Sequence, residues 1–263
     1  MEQQPVQMHG LLFCNGYDHL YWRDEMHEYF SGGIMMAVTD GCFRLSTDSM
    51  VLADFCCLPR GAAVCDLGCG CGALGLLLLR DHPGVRVTGI EILPDAAAQA
   101  RENIDANHLS ERFSVITGDL REHRALLPAN AFDAVVSNPP YFPAASGAIS
   151  PDDARAIARS EVCCTLDDLC ACAAHTLRFG GDLFLVHKPE RLTDLLCTLR
   201  AHRMEAKRIR FVRHHAGADA SLVLLAARLG GKPGVTVEPE LLLFTPDGQE
   251  TAETRRIYHH QED

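Results

Sequence analysis

From residue 60 to residue 230, short apolar runs alternate with segments of helical length, and this alternation limits the possible folds more than any other feature. The runs that read as strands are residues 62–67, 86–92, 113–117, 132–137, 182–187, 207–213 and 221–227. Such alternation favours a parallel sheet with helices on both faces. Only seven residues, 214–220, join the last two strands, too few for a helical crossover, so the final strand should be antiparallel. We therefore expect an α/β fold with a doubly wound, Rossmann-like sheet of seven strands, six parallel and one antiparallel.

Helical segments fill the gaps between these strands. They are residues 73–81, 94–107, a short turn near 121–127, 152–178 with a break near Thr165, and 190–202. Pro94 is the first residue of the second segment. Proline lacks a backbone N–H, but at the first position of a helix that group has no hydrogen-bond partner within the helix.

The two ends of the chain look different from this core. Before residue 61 we expect short strands at 10–21, 33–38 and 42–45 and a capped helix at 47–57. After residue 232 we expect a strand at 240–244, a turn at 246–248 and a helix at 253–259. The sequence thus predicts an appendage (1–60), an α/β core (61–232) and a C-terminal extension packed on the core (233–263).

The charge of the chain is unevenly distributed. The formal net charge is −11, yet residues 187–232 carry ten Lys and Arg against four acids, so this segment is +6 and the remainder −17. Such asymmetry indicates a polyanionic partner such as a structured RNA. The basic residues expected to contact it, with the last three projecting to one face of a strand, are Arg203, Lys207, Arg208, Arg210 and Arg213.

Cysteine and apolar patterns point to a cytoplasmic protein without a metal site. The 12 cysteines include no C-x-x-C pair and the 13 histidines no H-E-x-x-H spacing, so we expect reduced thiols in the core and no metal. The longest apolar runs, such as 76–79 and 222–227, are far shorter than the ~20 residues that cross a membrane. No segment reads as a signal peptide.

A glycine-rich loop follows the first core strand, in the sequence Asp-Leu-Gly-Cys-Gly-Cys-Gly of residues 66–72. Glycines allow a tight turn and close approach of a ligand to the start of the next helix. Gly70, Gly72 and Gly75 match the dinucleotide fingerprint, with Glu91 about 20 residues further on, so an NAD-binding enzyme is one reading. A carboxylate at Asp66 favours a different ligand, because it repels a pyrophosphate but pairs with the ammonium group of S-adenosylmethionine.

Two further acids follow the next two strands. Glu91 ends the second strand, within reach of the ribose hydroxyls of an adenosyl group. Asp119 follows the third strand, where its carboxylate can accept from an adenine amino group while Leu120 packs on the ring. Acids at three successive strand ends are expected for a ligand crevice along one edge of the sheet.

The strongest signal is the run Asn-Pro-Pro-Tyr, residues 138–141, at the end of the fourth strand. Two prolines directly after a strand stop its ladder and fix a stiff bend. The side-chain carbonyl of Asn138 and the backbone carbonyl of Pro139 can then accept both protons of one amino group. Tyr141 can stack flat on a base. This pattern predicts methyl transfer to an amino nitrogen.

At these residues the chain resembles the class I S-adenosylmethionine-dependent methyltransferases, and within them the bacterial family that N6-methylates adenine beside the anticodon of valine tRNA. The likeness extends to residues 47–55 (Thr-Asp-Ser-Met-Val-Leu-Ala-Asp-Phe), 90–107, 158–161 and 245–248, and to Tyr258. The resemblance implies S-adenosylhomocysteine as product, cofactor roles for Asp66, Gly68, Gly70, Glu91, Asp119 and Leu120, and catalytic roles for Asn138, Pro139 and Tyr141. It also implies that Thr47 and Asp48 close over the cofactor.

Several alternatives stay open at this point. Asn-Pro-Pro-Tyr also occurs in glutamine-N5 methyltransferases of release factors, and related motifs occur in guanine-N2 methyltransferases of rRNA. An NAD-dependent oxidoreductase and a non-catalytic cofactor-binding module are the alternatives from other classes. Residues 1–42 match no pattern of the family, so they are where an element that selects the substrate would lie.

Overall fold

The computed structural model describes residues 22–24, 27–30, 33–37, 46–139 and 164–259. Its strands are β1 (Trp22–Asp24), β2 (His27–Phe30), β3 (Ile34–Ala37), β4 (Ala63–Leu67), β5 (Arg86–Glu91), β6 (Phe113–Thr117), β7 (Phe132–Ser137), β8 (Leu177–His187), β9 (Met204–Arg213), β10 (Ala220–Leu229), β11 (Thr236–Val237) and β12 (Leu241–Leu242). Its α-helices are α1 (Thr47–Phe55), α2 (Ala73–Asp81), α3 (Pro94–Ala106), α4 (His123–Leu126), α5 (Leu166–Thr176), α6 (Leu192–Ala201) and α7 (Ala252–His259).

The main sheet has the predicted topology. Its strand order is β11-β9-β10-β8-β7-β4-β5-β6, with β12 also beside β9. Strands β4 to β8 pair in parallel, whereas β10 is antiparallel to both β8 and β9. The seven-stranded α/β prediction is therefore confirmed, and two short strands of the C-terminal segment extend the sheet to nine.

Strands β1 and β2 have no counterpart among the predicted elements, and within residues 61–232 the largest difference is the start of β8. This strand begins at Leu177, directly after α5, rather than at residue 182. Gly180 and Gly181 read as a break in the sequence because glycine is depleted in strands, but here they lie in an irregular stretch between the Phe132↔Leu177 and Ala134↔Asp182 pairs. The predicted elements at 10–21, 42–45 and 152–163 lie outside the described residues.

The sheet is buried on both faces by two apolar clusters. Successive side chains of a strand point to opposite faces of the sheet. In β10, Leu224 therefore packs in the cluster on one face and Leu225 in the cluster on the other. Helices α1, α2, α3 and α7 contribute to the first cluster and helices α5 and α6 to the second. This three-layer arrangement leaves the ends of the parallel strands as the place for a site.

The N-terminal strands form a separate three-stranded sheet that contacts α3. The side-chain oxygens of Asn103 and Asn107 accept the N–H groups of Ala37 (2.8 Å) and Met35 (2.9 Å). Asn103 also donates to the carbonyl of Cys71 (2.9 Å), so one buried amide joins β3 to the glycine-rich loop.

Most described cysteines are free thiols, and five of these are buried. Burial raises the pKa of Cys56, Cys65 and Cys69 well above the usual value, so they stay uncharged. Cys71 is disulfide-bonded, so the expectation that all the cysteines are reduced core thiols is wrong at this position. Among the described residues, no three His, Cys, Asp or Glu side chains are arranged to hold a metal ion. No helix in the described part of the chain is long and apolar enough to cross a membrane.

Candidate active site

The carboxyl ends of β4, β5 and β7 meet at one edge of the sheet. Parallel pairing sets Leu67 beside Ile90 and Asp66 beside Val136, so residues that follow these strands emerge next to one another. The chain leaves β4 towards β5 on one side, while β7 lies on the other, so the strand order reverses at β4. Crevices that bind ligands in open α/β sheets form at this kind of switch point.

The loop after β4 has the backbone shape that its glycines predict. Gly68, Gly70 and Gly72 have φ angles of 73°, 53° and 87°. The N–H groups of Gly68 and Cys69 donate to the carbonyl of Ile90, which ties the loop to β5. A Cβ at Gly68 or Gly70 would meet no atom within 4 Å. The loop therefore presents bare backbone to open space.

Asp66 lies beneath this loop, and its side chain is only partly satisfied. The residue is 1% exposed, and Oδ2 has no hydrogen-bond partner among the described residues. Burial raises the pKa of Asp66 to about 7, with Glu91 acting in the same direction and a backbone hydrogen bond from Gly75 opposing both. A cationic group beside Oδ2 would supply the missing partner.

Glu91 is buried and bound to the loop. Its two carboxylate oxygens accept the N–H groups of Gly70 and Leu93, each at 2.9 Å. The sequence did not predict these contacts, which make Glu91 part of the support of the glycine-rich loop. Each oxygen keeps a further lone pair that can accept from a hydroxyl group.

Asp119 has a partner that sequence reasoning missed. Its carboxylate accepts from the guanidinium of Arg121 at 2.5 Å and caps the turn after β6 through the Arg121 N–H at 2.8 Å. The hydrogen bonds from Arg121 hold the pKa of Asp119 below its usual value. Leu120 follows it and is half-buried.

Asn138 and Pro139 follow β7 at the same edge. Ser137 Oγ donates to the carbonyl of Leu67 at 2.8 Å and so joins the ends of β7 and β4. Asn138 Nδ2 donates to Ser49 Oγ at 3.1 Å, and Pro139 is buried. The structure thus brings Asn138 and Pro139 to the edge that also carries Asp66 and Glu91. Tyr141 lies outside the described residues.

Helix α1 reaches this edge with its first turn. Ser46 caps the helix by accepting the N–H of Ser49, and Ser49 is 7% exposed. Burial raises the pKa of the neighbouring Asp48, which Lys188 partly offsets. The sequence predicted this helix, but nothing in its pattern marked Ser49 as a contact of Asn138.

The arginines of β9 are paired with acids of the C-terminal segment. Arg208 pairs with Glu238 (2.5 Å), Arg210 with Glu253 (2.9 Å) and Arg213 with Glu240 (2.9 Å). Lys207 Nζ donates to the carbonyls of residues 232 and 234. The prediction of a single basic face is wrong for Arg213, because it lies three residues from Arg210 and alternation turns it to the other side of the strand.

Arg203 differs from these paired residues. It is exposed and forms no ion pair with a described residue. Of the five predicted basic contacts, Arg203 and Lys207 form no ion pair with a described residue, and Arg203 is the more exposed of the two.

Comparison with known proteins agrees with this geometry. The profile of the methyltransferase small domain matches residues 44–208. A tRNA1(Val) (adenine(37)-N6)-methyltransferase of Tolumonas auensis is 34% identical over 81% of this chain and 88% of its own length. The protein of the same name from Aeromonas hydrophila is 32% identical over 80% and 86%. That of Porphyromonas gingivalis W83 is 34% identical over 66% and 70%.

Solved structures share the fold. A protein of Agrobacterium tumefaciens described as a predicted O-methyltransferase superposes with a TM-score of 0.68 at 23% identity, over 81% of this chain and 95% of that one. Geranyl diphosphate C-methyltransferase of Streptomyces coelicolor gives 0.52 at 14% identity, over 69% and 76%. The chain belongs to the methyltransferase small domain family and to the family of the tRNA1(Val) (adenine(37)-N6)-methyltransferases.

Proposed function

We propose that the protein transfers a methyl group from S-adenosylmethionine to N6 of an adenine next to the anticodon of a tRNA. The observation that carries this proposal is the placement of the Asn138 carboxamide and Pro139 after β7, at the edge where the buried Asp66 carboxylate has an unpartnered oxygen. The names of the relatives support tRNA as the substrate. A tRNA substrate supports the cytoplasmic location that the sequence led us to expect.

The residues of the crevice fit S-adenosylmethionine. Asp66 Oδ2 is a buried acceptor for its ammonium group, and the open space over Gly68 and Gly70 admits the rest of the methionine moiety. Glu91 has lone pairs left for the ribose hydroxyls. Asp119 is assigned to the adenine amino group and Leu120 to the face of the ring. When bound, this cofactor supplies an electrophilic methyl group on a positively charged sulfur.

The NAD alternative does not suit this crevice. A buried carboxylate under the glycine-rich loop repels a pyrophosphate, and the family of the chain is one of methyltransferases. We therefore set the oxidoreductase reading aside.

Asn138 and Pro139 prepare the amino group of the substrate. Asn138 Oδ1 and the Pro139 carbonyl each accept one N–H, which leaves the nitrogen lone pair free to face the methyl group. We assign Tyr141 to stacking on the target base. No general base is needed, because the methylated ammonium product is acidic enough to lose its proton to water.

The replacement Asn138→Ala tests the catalytic assignment. Loss of one preorganised group of this kind typically lowers the rate by about a hundred- to a thousandfold. We expect this loss in a radioactive methyl-transfer assay on tRNA, with an unchanged melting temperature and unchanged affinity for S-adenosylhomocysteine. Turnover within tenfold of the wild type would show that Asn138 is not the acceptor.

We also propose that RNA binds along the basic segment, with Arg203 as its accessible charge. Arg203→Ala should weaken tRNA binding and lower the salt dependence of the affinity, without changing affinity for S-adenosylhomocysteine. Arg210→Ala is the matched control: Arg210 is engaged with Glu253, so its loss should lower stability and leave the salt dependence unchanged. Equal effects of the two variants on the salt dependence would contradict this placement of the RNA.

A further inference from the structure

Ser49 in helix α1 touches the carboxamide of Asn138, 89 residues away in sequence. Asn138 Nδ2 donates to Ser49 Oγ at 3.1 Å. Ser49 is almost fully buried, at 7% exposure, whereas Asn138 is half-buried. The contact therefore links the first turn of α1 to the end of β7.

This contact bears on the orientation of the amide. A carboxamide has two orientations of nearly equal shape, which exchange an acceptor for two donors. Only one of them turns the oxygen away from Ser49 and towards an incoming amino group. In the other orientation, the NH2 group of Asn138 would face the N–H groups of the substrate, and two donors cannot form a hydrogen bond.

The position of Ser49 is fixed by contacts outside the site. Tyr258 in α7 donates its hydroxyl to Thr47 Oγ1 at 3.0 Å. Arg256, also in α7, pairs with Asp54 at 2.6 Å. Both ends of α1 are thus held by the C-terminal helix, and the Ser49 hydroxyl is presented from a supported helix rather than from a loop.

We propose that Ser49 is a positioning residue for Asn138. Its hydroxyl oxygen accepts from Nδ2 and so holds the carboxamide of Asn138 in place, with Oδ1 on the side away from Ser49, where the amino group of the substrate would bind. This role rests on the proposed function, because it presumes that Asn138 is the acceptor. In this role Ser49 acts through Asn138 rather than on the substrate or the cofactor directly.

The test is a double-mutant cycle between the two residues. Ser49→Ala should lower kcat about tenfold, the magnitude of one lost hydrogen bond in a buried site, with the KM for tRNA and the affinity for S-adenosylhomocysteine unchanged. Ser49→Cys keeps the size but offers a weak acceptor, and should show the same loss. Ser49→Thr keeps the hydroxyl and should restore kcat. On the Asn138→Ala background, Ser49→Ala should cause no further loss.

Ser46→Gly is the matched control in the same turn. Ser46 Oγ lies 3.5 Å from Ser49 Oγ, too far for a strong O–H···O bond, and glycine is tolerated as a helix cap. We expect its kcat to stay within about twofold of the wild type. An equal loss in Ser46→Gly and Ser49→Ala would overturn the proposal, because it would trace the effect to the helix rather than to the hydroxyl.

Two other results separate the proposals. Full activity of Ser49→Ala beside an inactive Asn138→Ala, or losses that multiply in the double variant, would overturn the role of Ser49 alone. Full activity of Asn138→Ala would overturn the proposed function and the role of Ser49 with it.

Discussion

The affinity of the protein for its cofactor should depend on pH through Asp66. This carboxyl group is buried, and its pKa is raised to about 7 in the unliganded protein, chiefly by burial. In the unfolded chain it titrates near 3.9. The neutral form is therefore favoured in the folded protein, and the associated stability is fully present below about pH 4 and is lost as the pH rises towards 7.

The magnitude follows from the difference between the two pKa values. Three units correspond to about 4 kcal/mol, which is the order of the cost of holding the ionised Asp66 without a cationic partner above pH 7. A bound ammonium group supplies that partner and favours the ionised form. Binding below pH 7 must then release the proton of Asp66. We expect the affinity to fall about twofold at pH 7 and about tenfold at pH 6, relative to its value at pH 8.

Calorimetry with S-adenosylhomocysteine at pH 6, 7 and 8 measures this dependence. In buffers of different ionisation enthalpy, binding should release about 0.9 proton at pH 6 and about 0.1 at pH 8. The control Asp66→Asn should bind weakly, with an affinity that does not change over this range. A wild-type affinity that is equal at pH 6 and pH 8 would refute the reasoning.

Two further predictions concern the support of the glycine-rich loop. Gly75→Ala places a Cβ 2.4 Å from the Phe113 ring, so urea unfolding should show a free energy of unfolding that is lower by about 1–3 kcal/mol. Helix propensity alone predicts the opposite, a gain in stability. A variant more stable than the wild type would therefore contradict the packing argument. Asn103→Ala removes the hydrogen bonds to Ala37 and Cys71, so the amide hydrogens of β3 should exchange faster and S-adenosylhomocysteine should bind less tightly. Asn107→Ala should change the amide exchange of β3 only. An equal loss of affinity in both variants would contradict a direct link through Asn103.

Much of the core was predictable because local and global signals agree there. The strands β6 and β7 and the helix α2 begin and end where the pattern indicates, because Gly72 precedes α2, Gly118 follows β6 and Pro139 lies just beyond β7. The antiparallel β10 follows from the length of one loop. The start of β8 was missed because its glycines oppose strand propensity, whereas in the fold the residues on either side of them, Leu177 and Asp182, pair with β7.

The candidate site was predictable in its residue types but not in its contacts. Parallel strands bring their ends together, so Asp66, Glu91 and Asn138 share an edge of the sheet as expected. Contacts such as Asn138 with Ser49 or Arg210 with Glu253 join distant segments, and no periodicity encodes them. The sequence likewise shows which residues are basic, but only the fold shows which of them form ion pairs with acidic residues.

The most direct test of the proposed function is mass spectrometry of the products after methyl transfer by the purified protein, with nucleosides and RNase fragments analysed for the RNAs and peptides for the release factor. Unmodified tRNA, rRNA and release factor are each incubated with S-adenosylmethionine and either the wild type or Asn138→Ala. The account predicts N6-methyladenosine beside the anticodon of a tRNA with the wild type and a loss of this product with the variant. N2-methylguanosine in rRNA, or a methylated glutamine with unmodified tRNA, would contradict it.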